Sequence, residues 1–274
     1  MAKTKSRTRT VLYLLVLLII AGLAAFAFGP RPVANTSIDF DEATLPADLD
    51  SYLADAESRF DDLRPGNQRQ IVWAYPASRA RTPLAIVYIH GFSAGPGELR
   101  PLPDLVAKSL GANLYFPRLQ GHGRDGDAMR DGSVHGWVND FAEAVAIGRR
   151  LGERVVIMAT STGASLATWA SVRPELMRDV AGMVLFSPNY GVQAAGSGLL
   201  TMPWAEQIVR VVVGERRSFE TRNALHAQHW TSEYPSAALL PMASLVRLAN
   251  DVDPASIEIP ALIVYSPRDQ VIQP

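Results

Sequence analysis

Residues Val155 to Trp169 read VVIMATSTGASLATW, an apolar run that passes through Ala159-Thr160-Ser161-Thr162-Gly163 into a stretch able to form a helix. A buried strand that turns straight into a helix leaves the serine on a cramped bend. Side chains two residues to either side collide there unless they are small. Ala159 and Gly163 meet that size rule, with alanine at the position where glycine is usual. The relaxed pattern small-x-Ser-x-small turns up about once by chance in a chain of this length, so its surroundings must decide.

A stricter match, Gly91-Phe92-Ser93-Ala94-Gly95, competes with it. The motif requires a helix that opens at the serine and points its N-terminus at the site. After Ser93 comes AGPGELRPLP, too rich in glycine and proline to open a helix; after Ser161 comes TGASLATWASV, which can. Ser161 is therefore the candidate nucleophile. The segment YIHGFSAG suits a different task, because acyl transfer needs N–H donors fixed where negative charge develops on the carbonyl oxygen. A turn opened by Gly91 offers the Phe92 N–H, and the residue after the nucleophile, Thr162, offers the second donor.

The pattern around this stretch alternates. Apolar, β-rich runs occur at QIVWAY (70–75), LAIVYIH (84–90), ANLYFPRL (112–119), RVVIMAT (154–160), VAGMVLFS (180–187) and ALIVYS (261–266). LPDLVAKSL, WVNDFAEAVAIGRRLG and GASLATWASVRPELMRD lie between them as helices. Near-continuous apolar strands alternating with helices predict an α/β fold with a mostly parallel sheet covered on both faces. The alternation lapses between Pro188 and Pro260, and residues 189–258 are expected to form a helical lid. Asp269 follows the last strand in the turn-forming SPRDQ, where a carboxylate can point into the crevice at the strand ends.

Taken in order, these motifs resemble the α/β-hydrolase fold family, in its branch of monoacylglycerol-lipase-like, lysophospholipase-like and serine-aminopeptidase-like enzymes. His90-Gly91-Phe92 is similar to its oxyanion strand end and Gly121-His122-Gly123 to its G-H-G loop. Trp137 and Asp140 are similar to its W-x-x-D helix, Ala159–Gly163 to its elbow, and IPALIVYSPRDQVI to the strand and turn of its acid. The sequence departs from that pattern at Ala159 and at Asp125, where serine is frequent. The resemblance implies that Ser161 is the nucleophile and Asp269 the acid of a carboxylic ester hydrolase acting on small acyl or lipid-derived esters. It implies no cofactor.

The ends carry further expectations. Lys3, Lys5, Arg7 and Arg9 precede VLYLLVLLIIAGLAAFAF, an uncharged run from Val11 to Phe28. At about 1.5 Å per residue it reaches roughly 27 Å, close to the hydrocarbon thickness of a bilayer. The charge asymmetry predicts a cytoplasmic segment 1–10, a membrane-spanning anchor 11–28, a stalk 29–45 and a non-cytoplasmic domain 46–274. AFA at Ala25–Ala27 also resembles a cleavage site, which would yield a secreted protein. A helix is expected from about Pro46 to Leu63. A net charge of −1 without an internal basic run argues against nucleic acid as a partner. The absence of cysteine excludes disulfides, thiolate metal sites and a cysteine nucleophile.

In the family's order a histidine follows the acid, and none follows Asp269. His90, His122 and His135 read as structural, and His226 and His229 lie in the expected lid without a third partner for a metal. The expectation is therefore that the last strand, the histidine loop and the closing helix lie beyond residue 274, and that the chain as given is nearly inactive. The alternative is an inactive α/β-hydrolase fold serving as a binding module.

Overall fold

The computed structural model describes residues 2–194 and 196–273, the first seven of them by backbone alone. In chain order the first half contains α1 (Ala2–Ala27), α2 (Leu49–Glu57), β1 (Gln70–Val72), β2 (Thr82–Ile89), α3 (Leu102–Leu110), β3 (Asn113–Phe116) and α4 (Val134–Leu151). Then come β4 (Gly152–Thr160), α5 (Thr162–Ala170), α6 (Pro174–Met177), β5 (Val180–Phe186), α7 (Ala205–Val212), β6 (Arg216–Ser218), α8 (Ala224–His229), β7 (Glu233–Pro235), α9 (Leu239–Asn250) and β8 (Ala261–Val264).

Six strands form one sheet in the order β1-β3-β2-β4-β5-β8, with β1 antiparallel and the rest parallel. Alternate side chains of its central strands enter two separate cores, as the pleat requires. Ala85, Val87, Ile89, Val155, Ile157 and Ala159 pack beneath α4, α5 and α9. Ile86, Tyr88, Leu114, Phe116 and Met158 pack on the other face with Ala107 of α3. All nine residues of α5 are buried, so the helix that starts at the elbow is enclosed along its whole length. Ser133 caps α4 by accepting the Gly136 N–H, and the buried stripe of that helix includes Trp137, Val138, Phe141 and Val145. At the opposite end of the sheet the cover thins. Leu262, Ile263 and Val264 of β8 are 59%, 49% and 43% exposed, and β8 pairs only with β5 among the described residues.

The expected helical insert divides in two. Its first part holds the Ser197–Thr201 turn, α7, the two-stranded β6–β7 ribbon and α8, and several of its residues line the cavity at Ser161. α9, counted in the sequence as lid, instead packs on α5, with Leu245 fully buried and Leu239 and Met242 nearly so. Its buried stripe, Leu239, Met242, Leu245, Val246 and Ala249, lies against neighbouring helices, which takes that apolar surface out of water. α2 is shorter than expected, because Asp48 caps its start and the chain leaves the helix after Glu57. The helix expected over 163–179 breaks into α5 and α6, with Pro174 opening the second.

Arg9–Ala27 is long and apolar enough to cross a membrane, and it is fully exposed. It touches the domain at its end, where Trp204 donates its indole N–H to Ala25 O at 3.0 Å and its backbone N–H to Pro30 O at 2.7 Å. Further along, Asn139 Oδ1 accepts the N–H groups of Asp39 and Phe40, and Ile38 and Phe40 pack on the core, so this part of the expected stalk is docked against α4.

Candidate functional site

Ser161 joins β4 to α5 at φ 51°, ψ −118°. A non-glycine residue in this region carries strain of about 1–3 kcal/mol and persists only where its neighbours over-determine it. Here they do. The Ser161 N–H bonds Phe186 O at 2.9 Å, and its carbonyl accepts from Ser165 at 3.1 Å and Asn189 at 3.1 Å. Gly163 explains the size rule read from the sequence, since a Cβ there would meet His90 O at 2.5 Å and Ile89 O at 2.6 Å. Ala159 lies fully buried between Ile89 and Leu185 of the neighbouring strands, so its methyl group is tolerated where glycine is usual.

The Ser161 side chain lines a cavity of about 480 Å³ that Phe92, Ser93, Glu98, Thr162 and Asp269 also line. All four residues expected at the site thus reach one cavity. The N–H groups of Phe92 and Thr162 have no acceptor among the described residues. The Phe92 backbone is anchored through its ring, which packs edge-on against His122 (5.6 Å), Tyr234 (5.5 Å) and Trp137 (6.3 Å). Ser93 is also at positive φ and lines the cavity, but only a short 3₁₀ turn, Pro96–Leu99, follows it. Its backbone carbonyl is taken by the Thr231 N–H at 2.7 Å. The helix N-terminus and its partial positive charge belong to Ser161 alone of the two.

Asp269 sits on the turn after β8. Its Oδ1 accepts the N–H groups of Val271 (2.8 Å) and Ile272 (3.2 Å). Partial burial pushes its carboxyl up, but those two donors and the Ser187 hydroxyl outweigh it and hold the group below its usual range. The turn is stitched to the start of the insert, where Gln193 donates to Asp269 O at 2.6 Å and Ile272 O at 2.8 Å.

The histidines divide as their surroundings dictate. His90 is fully buried. Its Nδ1–H donates to Gly91 O at 2.9 Å, and its Nε2 accepts the Leu119 N–H at 3.1 Å. Burial lowers it to about 3 and His122, on the Gly121–Gly123 loop, to about 4, so both are neutral, with the His122 ring against Phe92. His135 pairs with Asp39 at 2.9 Å. His229 packs near Asn67, 3.4 Å from its Oδ1. His226 lines the cavity, with Nδ1 accepting the Arg222 N–H at 3.0 Å and its ring 4.6 Å from that of Trp230. Among the described residues no histidine is hydrogen-bonded to Ser161 or Asp269, and no cluster of histidine and acidic side chains could hold a metal ion.

Reasoning from sequence missed Glu98, whose Oε2 accepts the Gly91 N–H at 2.7 Å and the Tyr88 hydroxyl at 2.9 Å while its side chain lines the cavity. The only signal was an acidic residue inside a glycine- and proline-rich stretch.

Residues 86–274 match the model of the alpha/beta hydrolase family. A thermostable monoacylglycerol lipase of Bacillus sp. (strain H-257) is 24% identical over 202 residues, spanning 73% of this chain and 76% of that protein. Among solved structures, one from a study of the metagenome-derived lipolytic enzymes LipS and LipT superposes with a TM-score of 0.63 at 19% identity, covering 77% of this chain and 80% of the other. The monoacylglycerol lipase of Paleococcus ferrophilus gives 0.53 at 17% identity, covering 75% and 79%.

Proposed function

Because the chain belongs to the alpha/beta hydrolase family and is a hydrolase of the lipase and esterase type, we propose that it cleaves carboxylic esters through an acyl-enzyme on Ser161. The observation that carries this reading is the positive-φ turn at Ser161, held at the mouth of a buried helix and opening on the cavity. In the proposed reaction Ser161 Oγ attacks the ester carbonyl while a base takes its proton. The Phe92 and Thr162 N–H groups hold the negative oxygen of the tetrahedral intermediate. Collapse expels the alcohol, which takes up that proton, and water then releases the acid by the same route. Asp269, ionised at neutral pH, orients the base and stabilises its charged form. Acyl transfer of this kind draws on no cofactor.

Asp269, on the turn beside the open edge of β8, marks where the base that takes the Ser161 proton would stand. A second reading, a binding module on the same fold, is favoured by the observation that among the described residues no histidine is hydrogen-bonded to Ser161 or Asp269. The substrate class rests on the cavity wall, where Phe219, Trp230, Leu239, Met242, Val271 and Ile272 suit an acyl chain. The name of the Bacillus relative supports a glycerol ester. α1 would tether the domain to a membrane with the catalytic part on the non-cytoplasmic side, close to lipid-derived esters.

A fluorophosphonate probe on the intact enzyme tests the reading. Labelling and ester hydrolysis are expected to vanish in Ser161→Ala, with a loss of about 10⁶-fold in turnover, and to persist in Ser93→Ala. Labelling that survives Ser161→Ala overturns the assignment. An intact enzyme that neither labels nor hydrolyses any short-chain ester favours the binding module.

A further inference from the structure

We propose that Glu98 is a positioning residue that ties the oxyanion turn to the nucleophile elbow. The proposal rests on the reading of Phe92 and Ser161 given above and extends it to a group that touches neither reacting atom. One carboxyl oxygen, Glu98 Oε2, accepts from Gly91 N–H at 2.7 Å and from Tyr88 OH at 2.9 Å. The Tyr88 oxygen in turn lies 2.9 Å from Thr160 Oγ1. A phenol has one proton, so with that proton given to Glu98 the threonine hydroxyl must donate to Tyr88. The chain Gly91–Glu98–Tyr88–Thr160 therefore links the residue before one oxyanion donor to the residue before the nucleophile.

The spacing is tight. A Cβ on Gly91 would meet Glu98 Oε1 at 2.9 Å and Ser161 Cβ at 3.1 Å, so the Gly91 peptide is wedged between the carboxyl and the elbow. Fixing that peptide fixes the plane from which Phe92 N–H emerges. Burial pushes the Glu98 carboxyl up to about 7 despite its two donors. Near neutrality much of it is uncharged, and Oε2 still accepts both bonds with the proton on Oε1. The turn is thus held without a full negative charge set behind the donors that must stabilise an oxyanion.

The test compares Glu98→Ala with Glu98→Gln in the intact enzyme. Gln keeps an amide oxygen that can accept from both Gly91 N–H and Tyr88 O–H, whereas Ala keeps neither bond. For a short-chain ester, Glu98→Ala is expected to lower kcat by about 10²-fold with KM within about twofold, and to slow fluorophosphonate labelling in parallel. Glu98→Gln should restore most of both. Amide hydrogen exchange of the Gly91–Ala94 segment gives a readout that needs no catalysis, faster in Glu98→Ala and unchanged in Glu98→Gln. Unchanged kcat and exchange in Glu98→Ala, or equal damage in the two variants with folding intact, overturns the proposal. If the unmutated enzyme fails to label at Ser161, the hydrolase reading fails, and the exchange data still decide whether Glu98 holds the turn.

Discussion

Glu98 and Asp269 face the same cavity from different walls, and their surroundings drive the two carboxyl groups in opposite directions. Glu98, on the Pro96–Leu99 turn, bonds into the wall formed by the ends of β2 and β4, where burial outweighs its donors and raises it to about 7. Asp269 belongs to the wall built by β8 and its turn, where two backbone N–H groups and a hydroxyl outweigh partial burial and lower it. The first wall is close-packed and holds a strained serine; the second is open, with three of its four strand residues exposing large apolar side chains. Neighbouring carboxyl groups whose environments push them apart are how one site at one pH separates a neutral group from a charged one. The contrast also says where rigidity resides. Ser161 and the Phe92 and Thr162 N–H groups are set by the core, and Asp269 is set by a turn laced to the insert through Gln193.

Disrupting the packed wall should do the most damage. Trp169 of α5 is 1% exposed, and Trp169→Ala is expected to cost about 3–5 kcal/mol in denaturant unfolding and to abolish labelling at Ser161 at temperatures where the unmutated protein is still reactive. A cost under about 1 kcal/mol would mean that α5 does not brace the elbow.

The two carboxyl groups give opposite pH signatures. Glu98 is raised above its ordinary value of 4.5, so the folded chain keeps a proton that the unfolded chain has lost between about 4.5 and 7. Its contribution to stability is present below that window and is lost as pH rises through it. Glu98→Gln should therefore gain stability relative to the unmutated protein from pH 5 to pH 8. Asp269 is lowered below 3.8, so its contribution is present above that value and is lost as pH falls. The destabilisation of Asp269→Asn should accordingly be largest near neutrality and fade toward pH 3. Differences between variant and unmutated protein are the quantity to measure, because Asp140, raised to about 7, and the lowered His90 and His122 add slopes of both signs to each curve. Matching signs for the two variants would remove the distinction between the walls. The smallest effect belongs to the open wall, where Leu262→Ala should change unfolding by no more than about 0.5 kcal/mol, since that side chain is 59% exposed.

How much of this was legible in the sequence follows from where side chains go. β2 and β4 are buried on both faces, so their composition alone marks them, and all six expected strands of the main sheet lie where their apolar runs are. That a helix follows Ser161 and not Ser93 was legible from a local fact, which stretch can open a helix, and α5 does begin at Thr162. The β6–β7 ribbon was invisible because its strands are three residues each and carry Arg216, Arg217 and Glu233, with no apolar alternation. α9 was misplaced because its partner, α5, lies some seventy residues earlier in the chain, and no local pattern encodes that pairing. Glu98 was passed over for the same reason, since its meaning lies in reaching back to Gly91 and Tyr88 rather than in its neighbours in sequence.

The backbone at Ser161 has an evolutionary corollary. At φ 51° the residue best suited to the fold is glycine, which adopts such angles freely. On the proposed reading, selection for thermal tolerance and selection for turnover therefore pull this one codon toward different amino acids. A lineage relieved of its substrate would be expected to drift first here, keeping its shape and quietly becoming sturdier as it loses its chemistry.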